Sequence, residues 1–224
     1  MMSLPNKLLL WSERHCPEEP VQALVQGIIA DGISVPGVVG ERKLAESFQE
    51  QWTKSRPCVS RLTMVMRVFV LTDLAEKPAV NGRLRLAEER EIPLLQAWCD
   101  GFIDEVSKGE KNPAQYRVQD LIQKQVLHIW EDHGRAVSMA DVRRPTRHCS
   151  GIGLVYTPPE FRKKGYAQAC VWALCEKVLK SGKRYCSLFA DVANQASCGM
   201  YERIGFRPKH TVCDYSFKTT RHLV

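Results

Sequence analysis

No stretch of the chain approaches the ~20 consecutive apolar residues that a membrane helix needs, so no membrane partner is expected. The opening, MMSLPNKLLLWSERH, has an apolar burst of a few residues and no small-residue cleavage site, and does not read as a signal peptide. The nine cysteines are an odd count and scattered, and no C-x-x-C pair occurs. Cys170 and Cys175 fall on different faces of a predicted helix. A disulfide framework or zinc site is therefore not expected, and reduced thiols in a cytoplasmic protein are the simpler account. His128, His133 and His148 show no ligand spacing and read as structural or exposed, so no metal is expected. The chain contains neither G-x-x-x-x-G-K-[ST] nor G-x-G-x-x-G, which excludes a Walker loop and a dinucleotide fingerprint. It also lacks internal repeats and low-complexity tracts.

What is present is an ordinary globular composition and an uneven charge. Lys plus Arg exceed Asp plus Glu by 32 − 25 = +7. Between Arg135 and Gln168, seven basic residues face only Asp141 and Glu160, so +5 of that excess lies in 34 residues. A local positive field attracts an anionic ligand, although a solvated basic face is the plainer reading of a charge cluster.

Apolar periodicity predicts helices over 19–30, 41–52, 88–106, 113–124, 165–180 and 195–204, the last ended by Gly205. Strands are predicted in RLTMVMRVFVLTDL, RLRLA, a hairpin turning at Asp132-His133-Gly134, GIGLVY, RYCSLFADV, and one or two strands at the end. DGISVPGVVG breaks the helical pattern, and EKPAVNGR reads as a turn or linker. The order from residue 83 onward is α+β around a largely antiparallel sheet.

The most constrained stretch is TPPEFRKKGYAQA, between the GIGLVY strand and the following helix. A loop entering a helix presents unpaired N–H groups and the positive end of the helix dipole, for which phosphate is a natural partner. Gly165 permits close approach, and Arg162, Lys163 and Lys164 add full charges. Arg162-Lys163-Lys164-Gly165-Tyr166-Ala167 resembles the R/Q-x-x-G-x-G/A motif of the GNAT superfamily of acetyltransferases. GLVYTPPEF before it, the helix after it, Asn194 past the next strand and MYERIGF at 200–206 support the resemblance, which spans roughly residues 83–217.

The resemblance implies a GNAT-like mixed, mostly antiparallel sheet flanked by helices, with acetyl-CoA as co-substrate. The strand and loop residues Val155, Tyr156, Thr157, Arg162, Lys163, Lys164, Gly165, Tyr166 and Ala167 would bind it. Asn194 would hydrogen-bond its pantetheine arm or cap the next helix, and Ser197 is a weaker contact. VPGVVGERKLAESFQEQW, RVFVLTDL and PNKLLL resemble the end of the degenerate first domain of bacterial two-domain members, here shortened. The implied domains are 1–80, a short α/β extension, and 81–224, the acetyltransferase domain. The apolar faces of residues 1–80 (Phe48, Trp52, Val68, Val70) are expected to be buried on the catalytic domain or in a homodimer.

Acetyl transfer to an amine needs amine deprotonation, an oxyanion donor and a proton for the thiolate. By resemblance Tyr201 is the general acid; the alternative is a tyrosine packed on the sheet. Glu131 and Asp132 lie near a strand end that can face the acceptor site, with His133 adjacent, but EDHG is good turn chemistry. The leading expectation is an N-acetyltransferase acting on a small-molecule or peptide amine. A catalytically silent acyl-CoA-binding module is the alternative. A nucleic-acid partner is not expected, because the charge gathers at one loop without interleaved aromatics.

Overall fold

The computed structural model describes residues 7–12, 18–107 and 117–220. Its contacts divide the chain into two units. One comprises residues 1–68, 189–195 and 208–224, and the other residues 69–188 and 196–207. These units do not coincide with 1–80 and 81–224, because residues 189–195 and 208–224 cluster with the N-terminal region.

The first unit contains β1 (Leu8–Leu10), α1 (Glu18–Ala30), β2 (Gly37–Glu41), α2 (Arg42–Ser55), β3 (Cys58–Leu71) and β9 (Arg207–Thr219), in the strand order β1-β2-β9-β3. β1 and β2 run parallel, and β2 and β9 antiparallel. Glu41 caps α2 by accepting the Leu44 N–H at 3.4 Å. Ala45, Phe48 and Trp52 recur on one face of α2 and are buried. Phe48 stacks on Trp52 at 5.8 Å, and Trp52 on Phe217 of β9 at 6.0 Å. Val21, Val25 and Ile28 of α1 and Val38 of β2 complete this core. The faces of Phe48 and Trp52 are thus buried within their own unit, against the C-terminal strand.

β2 differs from the sequence reading, and the closing segment decides between its two alternatives. β2 is a strand where Pro36, Gly37 and Gly40 signalled only a break. A side chain at Gly37 would overlap the Tyr215 carbonyl, so the glycine serves close strand approach rather than a turn. The closing segment is one strand of 13 residues.

The second unit opens with β4 (Arg83–Leu86), a 3-10 turn (Glu89–Glu91) and α3 (Ile92–Ser107). The next helix, α4, is Val118–Gln123; the start expected at Pro113 lies outside the described residues. β5 (Leu127–Asp132) and β6 (Arg135–Arg143) form the expected hairpin, closed by His133 and Gly134 at φ 46° and 76°. Two consecutive positive φ values give the turn whose twist matches paired strands. Then come β7 (Cys149–Tyr156), a 3-10 turn (Pro159–Phe161), α5 (Tyr166–Lys180), β8 (Tyr185–Asp191) and α6 (Gln195–Ile204). The strand order is β8-β7-β6-β5-β4. All pairs are antiparallel except β7–β8, which α5 joins as a parallel crossover. Leu95, Trp98, Cys99, Leu127, Ile129, Met139 and Leu154 form the core between α3 and the sheet. The fold is α+β, a mostly antiparallel sheet flanked by helices. Among the described residues no helix is long and apolar enough to cross a membrane.

His128 is a buried titratable group in this unit, 3% exposed. Its Nδ1–H donates to the Val126 carbonyl at 3.1 Å, and its Nε2 accepts from Lys177 Nζ at 2.9 Å. The Lys177 bond requires the neutral ring, whereas the Val126 bond is open to either form. Burial, and then the Lys177 charge, lower its pKa to about 4. The unfolded chain titrates near the ordinary value of about 6.5 and binds more protons between the two values. Stability should therefore be lost as pH falls from about 6.5 toward 4. Urea midpoints at neutral and at mildly acid pH should show the loss, and a His128→Gln variant should show a shallower slope. Equal slopes in the two proteins would clear His128 of the effect.

Candidate functional site

Strand β7 is the element on which the site is built. Its parallel ladder with β8 is Cys149↔Tyr185, Ser150↔Cys186 and Gly151↔Ser187. From Ile152 to Tyr156 the strand continues, and no β8 partner is paired to it among the described residues. On its other edge the register with β6 jumps from Asp141↔Gly153 to Met139↔Tyr156. Two β7 residues, Leu154 and Val155, thus stand against one on β6. This is a bulge, and Leu154 holds a φ of 47° at its start. A buried leucine in that region is strained by an amount on the order of 1–3 kcal/mol. A bulge also turns backbone groups off the ladder. The strand therefore offers main-chain hydrogen-bonding groups to something other than the sheet.

The strand runs into the basic loop. Pro158 leads a 3-10 turn, and Lys163 and Gly165 take φ values of 61° and 80°. Gly165 is the residue before α5 and brings no side chain to cap it. The first helical bond of this end is from Ala169 N–H to the Gly165 carbonyl, at 3.0 Å. Helix geometry gives the N–H groups of Tyr166, Ala167 and Gln168 no acceptor within the helix. Left-handed residues followed by a helix start make a concave set of N–H groups suited to an anion.

The side chains around the loop divide into fasteners and open charges. Arg162 is a fastener. Its Nε donates to the Thr157 carbonyl at 2.8 Å, its Nη2 meets Glu105 Oε1 at 2.5 Å, and its guanidinium lies 5.7 Å from the Tyr156 ring centre. The arginine closes the loop onto α3, a role its place in the motif did not reveal. Tyr166 is the second fastener, its O–H donating to Asp132 Oδ2 at 2.6 Å. This ties the start of α5 to the β5–β6 hairpin. Lys163 and Lys164 are exposed, and Lys164 lies 5.8 Å from the Phe161 ring centre. Thr157 pairs its hydroxyl with that of Ser138 at 2.9 Å.

The groups considered as bases are occupied. Glu131 accepts from Arg83 at 2.9 Å and from Arg85 at 2.6 Å, and those guanidinium bonds, Arg85 first, hold its carboxyl below the usual range. Asp132 takes the Tyr166 bond, and His133 is a turn residue with an exposed side chain. The turn reading of EDHG accounts for all three.

Tyr201 lies on α6 and is 7% exposed. Its ring packs on Phe69 at 6.1 Å and Phe206 at 5.9 Å. Burial pushes its phenol well above the ordinary value, so the group stays protonated. Ser197 is half-buried one turn earlier, and Asn194 immediately precedes α6. Asn194 falls in the first unit, whereas the other candidate site residues, 155–157, 162–167, Ser197 and Tyr201, fall in the second. The described cysteines are free thiols, and burial raises Cys99 and Cys170 to about 12, far from a reactive thiolate.

A cavity of about 350 Å³ lies beside the loop, lined among others by Leu94, Trp98, Arg135, Glu160 and Phe161. None of the residues foreseen from the sequence lines it. The features suited to an extended anionic ligand are the open strand edge and the helix start.

The fold is α+β, and its central strand loses its ladder, bulges, and enters a helix through a basic loop. Residues 93–206 match the model of the Acetyltransferase (GNAT) family, and the chain belongs to that family. It is an enzyme of the acyltransferase class. The fold is similar to that of a GNAT-family acetyltransferase from Colwellia psychrerythraea, with a TM-score of 0.62, 14% identity, and 92% of this chain and 74% of that one covered. It is also similar to the GCN5-related N-acetyltransferases from Sphaerobacter thermophilus (TM-score 0.60, 16% identity, 84% and 61% covered) and Kribbella flavida (0.57, 15%, 92% and 76%). No curated protein matches the chain.

The Tyr166–Asp132 bond provides a test of the fastening. A hydrogen bond to a charged group contributes about 1.5–3 kcal/mol. Tyr166→Phe should lower the unfolding free energy by an amount in or just below that range, measured by urea denaturation at neutral pH. An unchanged midpoint would show that the bond does not hold the helix start.

Proposed function

We propose that this enzyme moves an acetyl group from acetyl-CoA to a primary amine by direct attack on the thioester. The observation that carries the reading is β7, with its ladder ending at Gly151 and its bulge at Leu154. The pantetheine arm carries amides, which suit the main chain of Val155, Tyr156 and Thr157 past the end of the ladder, where the Tyr156 and Thr157 carbonyls already accept from Ser138 Oγ at 3.2 Å and Arg162 Nε at 2.8 Å. The pyrophosphate suits the N–H groups of Tyr166 and Ala167 behind Gly165, with Lys163 and Lys164 as flanking charges and Arg162 holding the loop. Ser197 is a further contact for the arm.

In this reaction the amine, after losing a proton to solvent, forms a bond to the thioester carbon. The C–S bond then breaks, the electron pair leaves on sulfur, and the nitrogen gives up its remaining extra proton to solvent, from which the Tyr201 phenol is restored. The oxyanion formed in between is stabilised by main-chain N–H groups at the bulge. Tyr201 is the donor for the departing thiolate. A thiol titrates near 8.5 and a phenol near 10, so complete transfer to a free thiolate runs uphill, more so with a buried phenol. The hydroxyl acts while the C–S bond is breaking, as a hydrogen-bond donor that yields its proton late. A module that only binds acyl-CoA would share the donor site but release no thiol in the presence of amines.

Acetyl-CoA at one hundred times its Kd should stabilise the protein by about 2.7 kcal/mol, read as a rise in Tm. Gly165→Asp places bulk and negative charge at the anion site and should abolish that rise in a folded protein. A retained rise would remove the loop from the account.

Release of free CoA with a panel of amines, followed by mass spectrometry of the product, tests transfer itself. Tyr201→Phe keeps the packed ring and removes one hydroxyl. It should lower kcat by roughly 10²-fold with little change in the acetyl-CoA KM. Wild-type turnover in the variant would reduce Tyr201 to a packing residue.

A further inference from the structure

Residues 73–82, which lead from β3 to β4, form a strap pinned at both ends. At one end the Ala75 N–H donates to the Ile204 carbonyl at 2.9 Å, and Trp172 Nε1–H of α5 donates to the Ala75 carbonyl at 2.8 Å. Gly205 makes room there, since a side chain on it would overlap the Asp73 carbonyl. At the other end Trp130 Nε1–H of β5 donates to the Asn81 carbonyl at 2.9 Å. Gly82, at φ 117°, lies against the same indole. Two buried tryptophans thus hold the backbone of the strap at residues 75 and 81.

Between these pins the strap meets the basic loop. The Val80 N–H donates to the Pro78 carbonyl at 2.9 Å, which closes a three-residue turn. The Val80 side chain is half-buried, and its Cγ2 methyl lies 2.9 Å from the place where a side chain on Gly165 would begin. Among the described residues, and leaving aside Lys164 and Tyr166 on either side in the chain, no other atom comes within 4 Å of that place. Ala75 sits at Trp172 and Val80 at Gly165, so the strap runs back along about two turns of α5 to the start of the helix.

The contact falls on the residue whose backbone setting decides the anion site. Glycine passes between negative and positive φ at little cost, so nothing in Gly165 itself keeps its φ at 80°. The directions of the Tyr166, Ala167 and Gln168 N–H groups follow from that setting. Arg162 and Tyr166 fasten the chain on either side of Gly165, whereas Val80 bears on Gly165 itself. A methyl group there resists movement of the loop toward the strap and brings no polar atom to compete with an anion.

We infer that Val80 is a positioning residue for the acyl donor. Through Gly165 it holds the N–H groups that receive the pyrophosphate, and so governs affinity for the nucleotide end of acetyl-CoA and not the chemistry at the thioester. This rests on the part of the proposed function that puts the pyrophosphate at the start of α5.

The test is the acetyl-CoA Kd, measured by titration calorimetry in the wild type, Val80→Ala, Gly165→Ala and the double variant. It is joined by turnover on acetyl-CoA and on S-acetylpantetheine, which lacks the pyrophosphate and the nucleotide. Val80→Ala should raise Kd about 3- to 10-fold, the order that two lost methyl groups supply, and raise the acetyl-CoA KM with little change in kcat. The preference for acetyl-CoA over S-acetylpantetheine in kcat/KM should fall by the same factor. Val80→Ile keeps the Cγ2 methyl and should keep the preference. Gly165→Ala places a Cβ against Val80, so it should cost less affinity in the Val80→Ala background than in the wild type. Where the donor comparison or the double variant falls outside the measurable range, the Kd of Val80→Ala decides. A Kd unmoved in Val80→Ala, a fall that strikes both donors alike, or equal costs of Gly165→Ala in the two backgrounds would overturn the inference while leaving acetyl-CoA binding intact. A wild type whose Tm acetyl-CoA does not raise would instead defeat the donor-site reading, and this inference with it.

Discussion

A backbone N–H in a sheet needs a partner, and on β7 that requirement organises the site. The strand has β8 beside it for three residue pairs, after which the ladder stops while β7 goes on to Tyr156. On the opposite edge the bulge at Leu154 interrupts pairing with β6. A strand at the middle of a sheet ordinarily satisfies both edges. Here its main-chain groups past Gly151 lie outside the β8 ladder, where side chains such as Ser138, whose hydroxyl donates to the Tyr156 carbonyl at 3.2 Å, take some of them and water or a ligand can take the rest. The strain at Leu154 is retained because packing with Leu95, Trp98 and Met139 holds the side chain in place.

The elements around β7 keep this opening in position. The crossover through α5 gives β8 its parallel direction and delivers the helix start directly after the strand. Arg162 ties the loop to α3, and Tyr166 ties the helix start to the hairpin. Glu131 is held between Arg83 and Arg85, which stiffens the same hairpin. These side chains act as fasteners, and in the proposed reading the binding capacity lies in the backbone they hold. On this account the donor site tolerates variation in side chains as long as the main chain keeps its path.

The sequence made the helices legible because their apolar stripes are regular: Phe48 and Trp52 on α2, and Leu95, Trp98 and Phe102 on α3. The hairpin was legible from its turn residues, and the loop from Gly165 and its three preceding charges. β2 was missed because its glycines serve close strand contact and look like turn signals. The bulge was invisible, since nothing in GIGLVY distinguishes a leucine at φ 47° from an ordinary one. The partner of Arg162 was invisible because Glu105 is 57 residues away. The spacing Gly151-x-Gly153 was a usable signal: glycines on one face of a strand mark a close approach, here that of Arg143. Tyr201 was found by its place in a motif, and its packing on Phe69 and Phe206 now accounts for the ring though not for the hydroxyl.

The central claim is that the main chain of β7 and of the α5 start holds the acyl donor. Amide hydrogen exchange, followed with and without saturating acetyl-CoA, tests it most directly. The amides of Val155 to Thr157 and of Gly165 to Gln168 should exchange more slowly with the ligand bound, while those of β4 and β5 stay as they were. Saturation by acetyl-CoA that leaves both of the first two segments unprotected would contradict the account.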